Sequence, residues 1–179
     1  MSHALLSPSS SERWINSPAS VKYQIIFEEE SSPYAKEGTE AHKLSEFKLK
    51  ESLGMDTSDP RKELEFYSKE MEECSDGYVE YIYEIMATLE KPKVYVEEQL
   101  DLSMYIPESL GTADAIIVSE KELHIVDFKY GLGIQVNAEK NSQLMIYALG
   151  ALYLFDGIFD IEKVTMHIYQ PRRENIHLM

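Results

Sequence analysis

The hydrophobic pattern changes its period once along the chain, at Lys91-Pro92-Lys93, and that change limits the fold more than any other feature. Upstream, apolar side chains recur at three- and four-residue intervals, as in Tyr78, Tyr81, Ile82, Ile85 and Leu89, the period of an amphipathic helix. Downstream, short β-branched and aromatic runs take over, separated by turn residues. A length of 179 residues suffices for one domain with a sizeable core and is too short for two large ones. With 44% hydrophobic and 27% charged residues, the composition is that of a globular domain rather than a disordered chain or a coiled coil.

Punctuation along the chain places the elements. Ser9-Ser10-Ser11 caps a short helix that must stop before Pro18. Ser32-Pro33 pairs an N-cap with proline at the first helical position, and that helix runs to Leu53, where Gly54 ends it. Asp59-Pro60 opens the next helix, with a break expected at Ser75-Asp76-Gly77. Strands are expected over 94–100, 111–119 and 123–130, the last two as an antiparallel hairpin about Glu120-Lys121-Glu122. A helix over 138–155 and a strand over 163–169 follow. The expected fold class is therefore α/β: a single domain over 1–179, mostly helical over 1–92, with a mixed central sheet over 93–179 flanked by helices.

A formal net charge of −15 argues against a protein that coats nucleic acid or membrane by bulk charge. It leaves room for a local basic groove, or for a metal that supplies positive charge. The single cysteine, Cys74, excludes an internal disulfide and an all-cysteine metal site. It sits on a helical stretch and is expected to be inert. The first residues lack the charged and apolar regions of a signal peptide, and no run is long enough to span a membrane, so a cytoplasmic location is expected.

The run Ile125-Val126-Asp127-Phe128-Lys129 carries the chemistry. Alternation puts Asp127 and Lys129 on one face of an otherwise apolar strand, a costly arrangement unless that face lines a site. The strand before it sets Asp114 among Ala113, Ala115, Ile116 and Ile117, where a carboxylate also asks for a partner. Two aspartates converging across a hairpin suit Mg²⁺ or Mn²⁺, with the lysine beside the ion. The plain alternative is a buried Asp127–Lys129 ion pair without chemistry. Gln143 and Tyr147, four apart, share a helix face, as do His42 and Glu46. Taken singly, Tyr147 reads as core, Gln143 as solvated and His42 as structural.

In order, Gly38-Thr39-Glu40-Ala41-His42, Gly111-Thr112-Ala113-Asp114, Asp127-Phe128-Lys129 and Gln143-Leu144-Met145-Ile146-Tyr147 resemble the motifs of the PD-(D/E)XK nuclease superfamily, in its RecB-like exonuclease branch. Trp14-Ile15-Asn16-Ser17-Pro18 and Asp127-Phe128-Lys129-Tyr130-Gly131 resemble an uncharacterised phage-associated family of that branch. The resemblance implies a restriction-endonuclease-like core and Mg²⁺- or Mn²⁺-dependent, exonuclease-like hydrolysis of DNA in phage or mobile-element processing. It implies His42, Asp114 and Asp127 as metal ligands, with the Ile125 or Phe128 carbonyl as an extra one. Lys129 would act on the attacking water, while Gln143 and Tyr147 would hold the lysine or the DNA. Phage recombination or replication proteins would be partners. Ser17 stands where some relatives carry an iron–sulfur cysteine, so no cluster is expected. The end at Met179, soon after the last expected strand, raises the expectation of a chain truncated at its C-terminus.

Glu97 and Glu98 lie on the strand before the hairpin, where one of them could face the site, although a solvated edge strand is the simpler reading. The acidic runs 28–30 and 70–73 read as solvated faces, and most of the twelve tyrosines as core or half-buried. Arg172 and Arg173 are candidates for phosphate contact. Two rival functions remain: a non-catalytic DNA-binding or assembly module with a nuclease fold, and an acidic adaptor. Neither has a need for the buried-type acids.

Overall fold

The computed structural model describes residues 6–26, 32–107 and 109–179. Two short helices, α1 (Ser11–Asn16) and α2 (Ser20–Ile26), are separated at Pro18 as that residue demands. Helix α3 (Pro33–Ser52) starts where expected, with the Ser32 hydroxyl accepting from the Ala35 N–H, and Gly54 follows it at φ 71°. Helix α4 (Lys69–Ala87) begins later than Asp59-Pro60 suggested. The Asp59 carboxylate is taken by the Arg61 backbone N–H and guanidinium, and Glu40 accepts from the N–H groups of Glu65 and Phe66. With those groups satisfied off-helix, Ser68 supplies the cap instead, accepting from Met71.

No break occurs at 75–77. Gly77 stays helical, and a side chain there would collide with the Tyr169 hydroxyl, so this glycine marks a close approach rather than a helix end.

Five strands form one sheet in the order β1 (Lys93–Asp101), β2 (Leu110–Val118), β3 (Glu122–Phe128), β4 (Lys163–Gln170), β5 (Asn175–Leu178). β1, β2 and β3 are successively antiparallel, β4 lies parallel to β3, and β5 returns antiparallel to β4. Helix α5 (Ser142–Phe155) makes the crossover that a parallel β3–β4 pair requires. It starts four residues later than expected, because Asn141 caps it by accepting from the Leu144 N–H. β5 was not anticipated: four residues after a Pro171–Arg173 turn carry too little pattern to read.

Alternation in β3 separates two cores. Val126 and Phe128 pack with Leu44, Tyr78 and Ile82 of α3 and α4, while Leu123 and Ile125 pack with Leu144, Ala151 and Phe155 of α5. The mixed α/β class with helices on both sheet faces is as expected. Six tyrosines (Tyr23, Tyr34, Tyr67, Tyr83, Tyr105 and Tyr153) are exposed, so the expectation of core or half-buried tyrosines holds for half of them. No helix among the described residues is long and apolar enough to cross a membrane. The acidic run 28–30 lies outside the described residues. The other run is more than solvated, since Glu72 pairs with Lys48 and Arg61, and Glu70 with Arg172.

Two buried imidazoles stand on the α4 face. His167 is hydrogen-bonded through Nδ1 to the Tyr81 hydroxyl (2.8 Å) and through Nε2 to His124 Nδ1 (2.9 Å). Burial pulls His167 down to about 3, and the neighbouring His124 and Lys163 add to that effect. The unfolded chain takes up the proton near pH 6.5, whereas the fold excludes it until about pH 3. Stability is thus full above about 6.5 and falls as pH drops toward 3. A melting series from pH 7.5 to 4.5 should show this loss, and His167→Gln should flatten it.

The glycines of the two long helices give a paired test. Gly77→Ala should destabilise by about 1–3 kcal/mol despite its better helix propensity, because buried Tyr169 cannot yield. Gly38→Ala, with nothing near its added methyl, should stabilise by up to about 1 kcal/mol. Urea melts of the two variants check both signs.

Candidate metal centre

The site forms where β2 and β3 part. Their pairing ends at Ala115–Val126, and beyond it the Asp114 carboxylate accepts from the Phe128 N–H at 2.8 Å through Oδ2, in place of a ladder bond. β2 changes face at this point, since Ala115 packs in the α3–α4 core and Ala113 in the α5 core. β1 changes with it: Val96 belongs to the first core and Leu100 to the second. The residue that absorbs the change is Glu97, which with Asp114 falls in the gap of the register between Val96–Ala115 and Glu98–Ala113 and holds φ 53°. A left-handed glutamate within a strand costs about 1–3 kcal/mol.

His42 reaches into the parting from α3. Its Nδ1 lies 3.2 Å from Asp114 Oδ1, and its ring packs edge-on against Phe128. His42, Glu97 and Asp114 each offer one ligand atom within 4.8 Å of the others. Asp127 does not join that group. Its Oδ1 accepts from Lys129 Nζ and from Gln143 Nε2, each at 3.1 Å, and its Oδ2 lies 2.9 Å from the same ammonium without a hydrogen-bonding angle. Lys129 also donates to Gln143 Oε1 at 3.3 Å, and Gln143 Nε2 contacts the Tyr147 hydroxyl at 3.4 Å. Lys129 and Gln143 line a cleft of about 720 Å³ whose walls include Ser11 and Asn16 of α1 and Asn137 and Asn141 before α5.

The charges are mutually dependent. Burial pushes the Asp114 carboxyl up, but the His42 imidazole, Lys129 and the Phe128 N–H outweigh it and hold the group below its ordinary range. Burial pulls His42 down, and Asp114 overcomes that to raise it above 6.5. Asp127 ends above its ordinary value, because burial and the Asp114 charge outweigh Lys129. Lys129 is raised despite burial by Asp127 and Asp114. Glu97 is pushed up to about 7 by burial, then by Asp114 and Glu46.

The structure thus brings together His42, Asp114, Asp127, Lys129, Gln143 and Tyr147, in two linked sets rather than one ligand triad. Glu97, read most simply as solvated, is drawn in by a backbone conformation that no residue type announces. Arg172 is not available for phosphate: it pairs with Glu37 and Glu70 and lies over the Tyr130 ring. Arg173 donates to the carbonyls of Leu132 and Gly133. Cys74 fits its inert reading, since burial pushes its thiol up, away from thiolate.

The donor set suits a divalent cation. One imidazole and two carboxylates lie at ligating separation, and beside them Asp127 Oδ2 is a buried oxygen without a hydrogen bond among the described residues. The His42–Asp114 pairing gives a direct test. Asp114→Asn keeps an acceptor for the Phe128 N–H but removes the charge, so burial should pull His42 down. Histidine titration by NMR on the metal-free protein should show His42 titrating at lower pH than in the parent.

No solved structure matches the chain. Residues 3–179 match the family described as "Protein of unknown function (DUF2800)", so nearly the whole chain is one family unit, and the chain belongs to that family.

Proposed function

We propose that the chain is a metal-dependent deoxyribonuclease with a restriction-endonuclease-like core, exonuclease-like in action and used in phage or mobile-element DNA processing. The observation that carries this reading is the junction, at one parting of two strands, of the His42–Glu97–Asp114 group with the Asp127–Lys129–Gln143 network. A plain structural ion pair would need neither the strained Glu97 nor a cleft leading to Lys129.

A divalent cation, Mg²⁺ or Mn²⁺, would polarise a phosphodiester oxygen and supply a water nucleophile at neutral pH. His42, Glu97 and Asp114 would hold it, with Asp127 adding negative charge alongside. The imidazole tilts the set toward Mn²⁺. Lys129 orients the attacking water and offsets charge that builds on the phosphate. Gln143 fixes the lysine by accepting from Nζ, and Tyr147 braces Gln143 from one helical turn away. With Ser17 at the N-terminal motif and Cys74 alone, no residues are offered for an iron–sulfur cluster.

The test is a nuclease assay on end-labelled linear DNA and on circular DNA, with Mg²⁺ and with Mn²⁺. The parent should degrade linear DNA and spare circles. Lys129→Ala should lose about 10²–10⁴ in rate yet keep Mn²⁺-dependent thermal stabilisation. Asp114→Ala should lose both. A Lys129→Ala protein that cleaves at the parental rate would sink the assignment. A parent that binds Mn²⁺ and DNA but cleaves nothing would establish the non-catalytic DNA-binding or assembly module instead.

A further inference from the structure

Tyr78 is a second source of unsatisfied polarity beside the site. Its side chain projects from α4 into the core under the sheet and is 1% exposed, yet its hydroxyl has no hydrogen-bond partner among the described residues. Its ring packs on Phe128 at 5.2 Å between centroids, the residue whose N–H holds Asp114 and whose ring abuts His42. A buried hydroxyl without a partner is destabilising, and a phenylalanine would fill the same space without that penalty. Tyr78 shares its buried cluster with Val96 and Ala115, the chain neighbours of Glu97 and Asp114. Burial, and after it the charges of Asp114, Glu97 and Asp127, keep the phenol protonated, hence a donor.

We propose that Tyr78 is a positioning residue of the metal centre, whose hydroxyl donates to the Glu97 carboxylate when that glutamate serves as a ligand. This inference rests on the metal-dependent reading above. Among the described residues Glu97 is the acid without a fixed partner: Asp114 is held by His42 and the Phe128 N–H, and Asp127 by Lys129 and Gln143. A protonated phenol in the adjoining core is a donor that can hold the glutamate in one orientation without adding charge. Groups that orient metal ligands in this way carry about 10- to 100-fold in affinity.

The experiment is a Mn²⁺ titration of the parent, Tyr78→Phe and Tyr169→Phe, followed by calorimetry, with metal-free melting temperatures measured alongside. Tyr78→Phe should melt at or above the parental temperature without metal, since it removes an unpaired hydroxyl. It should bind Mn²⁺ about tenfold more weakly. Tyr169→Phe, from the same aromatic cluster, should bind as the parent does. In a Glu97→Gln background, Tyr78→Phe should have no further effect on affinity. Parental affinity in Tyr78→Phe, or a lower melting temperature with unchanged affinity, overturns the proposal and leaves the site reading intact. A parent that takes up no Mn²⁺ overturns both.

Discussion

The Asp114 carboxylate is the interaction on which the rest of the site depends. One oxygen takes the Phe128 N–H that a continued β2 would have paired, and the other holds His42. Without an acceptor there, the end of the hairpin would carry a buried unpaired N–H, a cost of about 1–3 kcal/mol. The carboxylate therefore stabilises the parting of β2 and β3 that makes room for it. It also ties α3 to the sheet, because the imidazole it grips sits just before Leu44 and Phe47 on the same helix, which pack into the α3–α4 core.

Charge explains why so acidic a chain can hold this arrangement. With a net charge of −15, positive groups are scarce, and most are already committed. Arg172 bridges α3 and α4 through Glu37 and Glu70, and Lys48 ties the same helices through Glu72 and Asp76. At the cleft, Lys129 is held against Asp127. On the proposed reading, a phosphate entering there meets few free cations of the protein, so the metal rather than arginine would supply most of the attraction.

Much of this was legible in the sequence. Period-two alternation put Asp127 and Lys129 side by side, and they are in contact. The i, i+4 spacing put Gln143 and Tyr147 on one face, and both turn toward Asp127. What escaped the sequence had no local signature. Glu97 enters through a positive φ that glutamate does not advertise. The 59–67 segment looks like a helix start, and becomes a turn because Glu40, distant in sequence, satisfies its N–H groups. Arg172 looked free because its partners, Glu37 and Glu70, are more than 100 residues away. In each case the missing information was a tertiary partner for a backbone or charged group.

The site also has a simple charge balance. Asp127 is matched by the Lys129 ammonium and Asp114 by the His42 imidazole, each cation raised by its neighbouring acid. Glu97 is the third acid and has no fixed counter-charge among the described residues; burial, then Asp114 and Glu46, push its carboxyl up to about 7 while Asp114 is held low. A centre built only for stability gains nothing from such a residue, since an unmatched, partly buried acid and a left-handed backbone both cost free energy. One surplus negative charge, at ligating separation from an imidazole and a second carboxylate, is the condition under which a divalent cation is drawn in and a solitary proton is displaced. The strain at Glu97 and the parting of β2 and β3 are the local structural costs of keeping that charge in place.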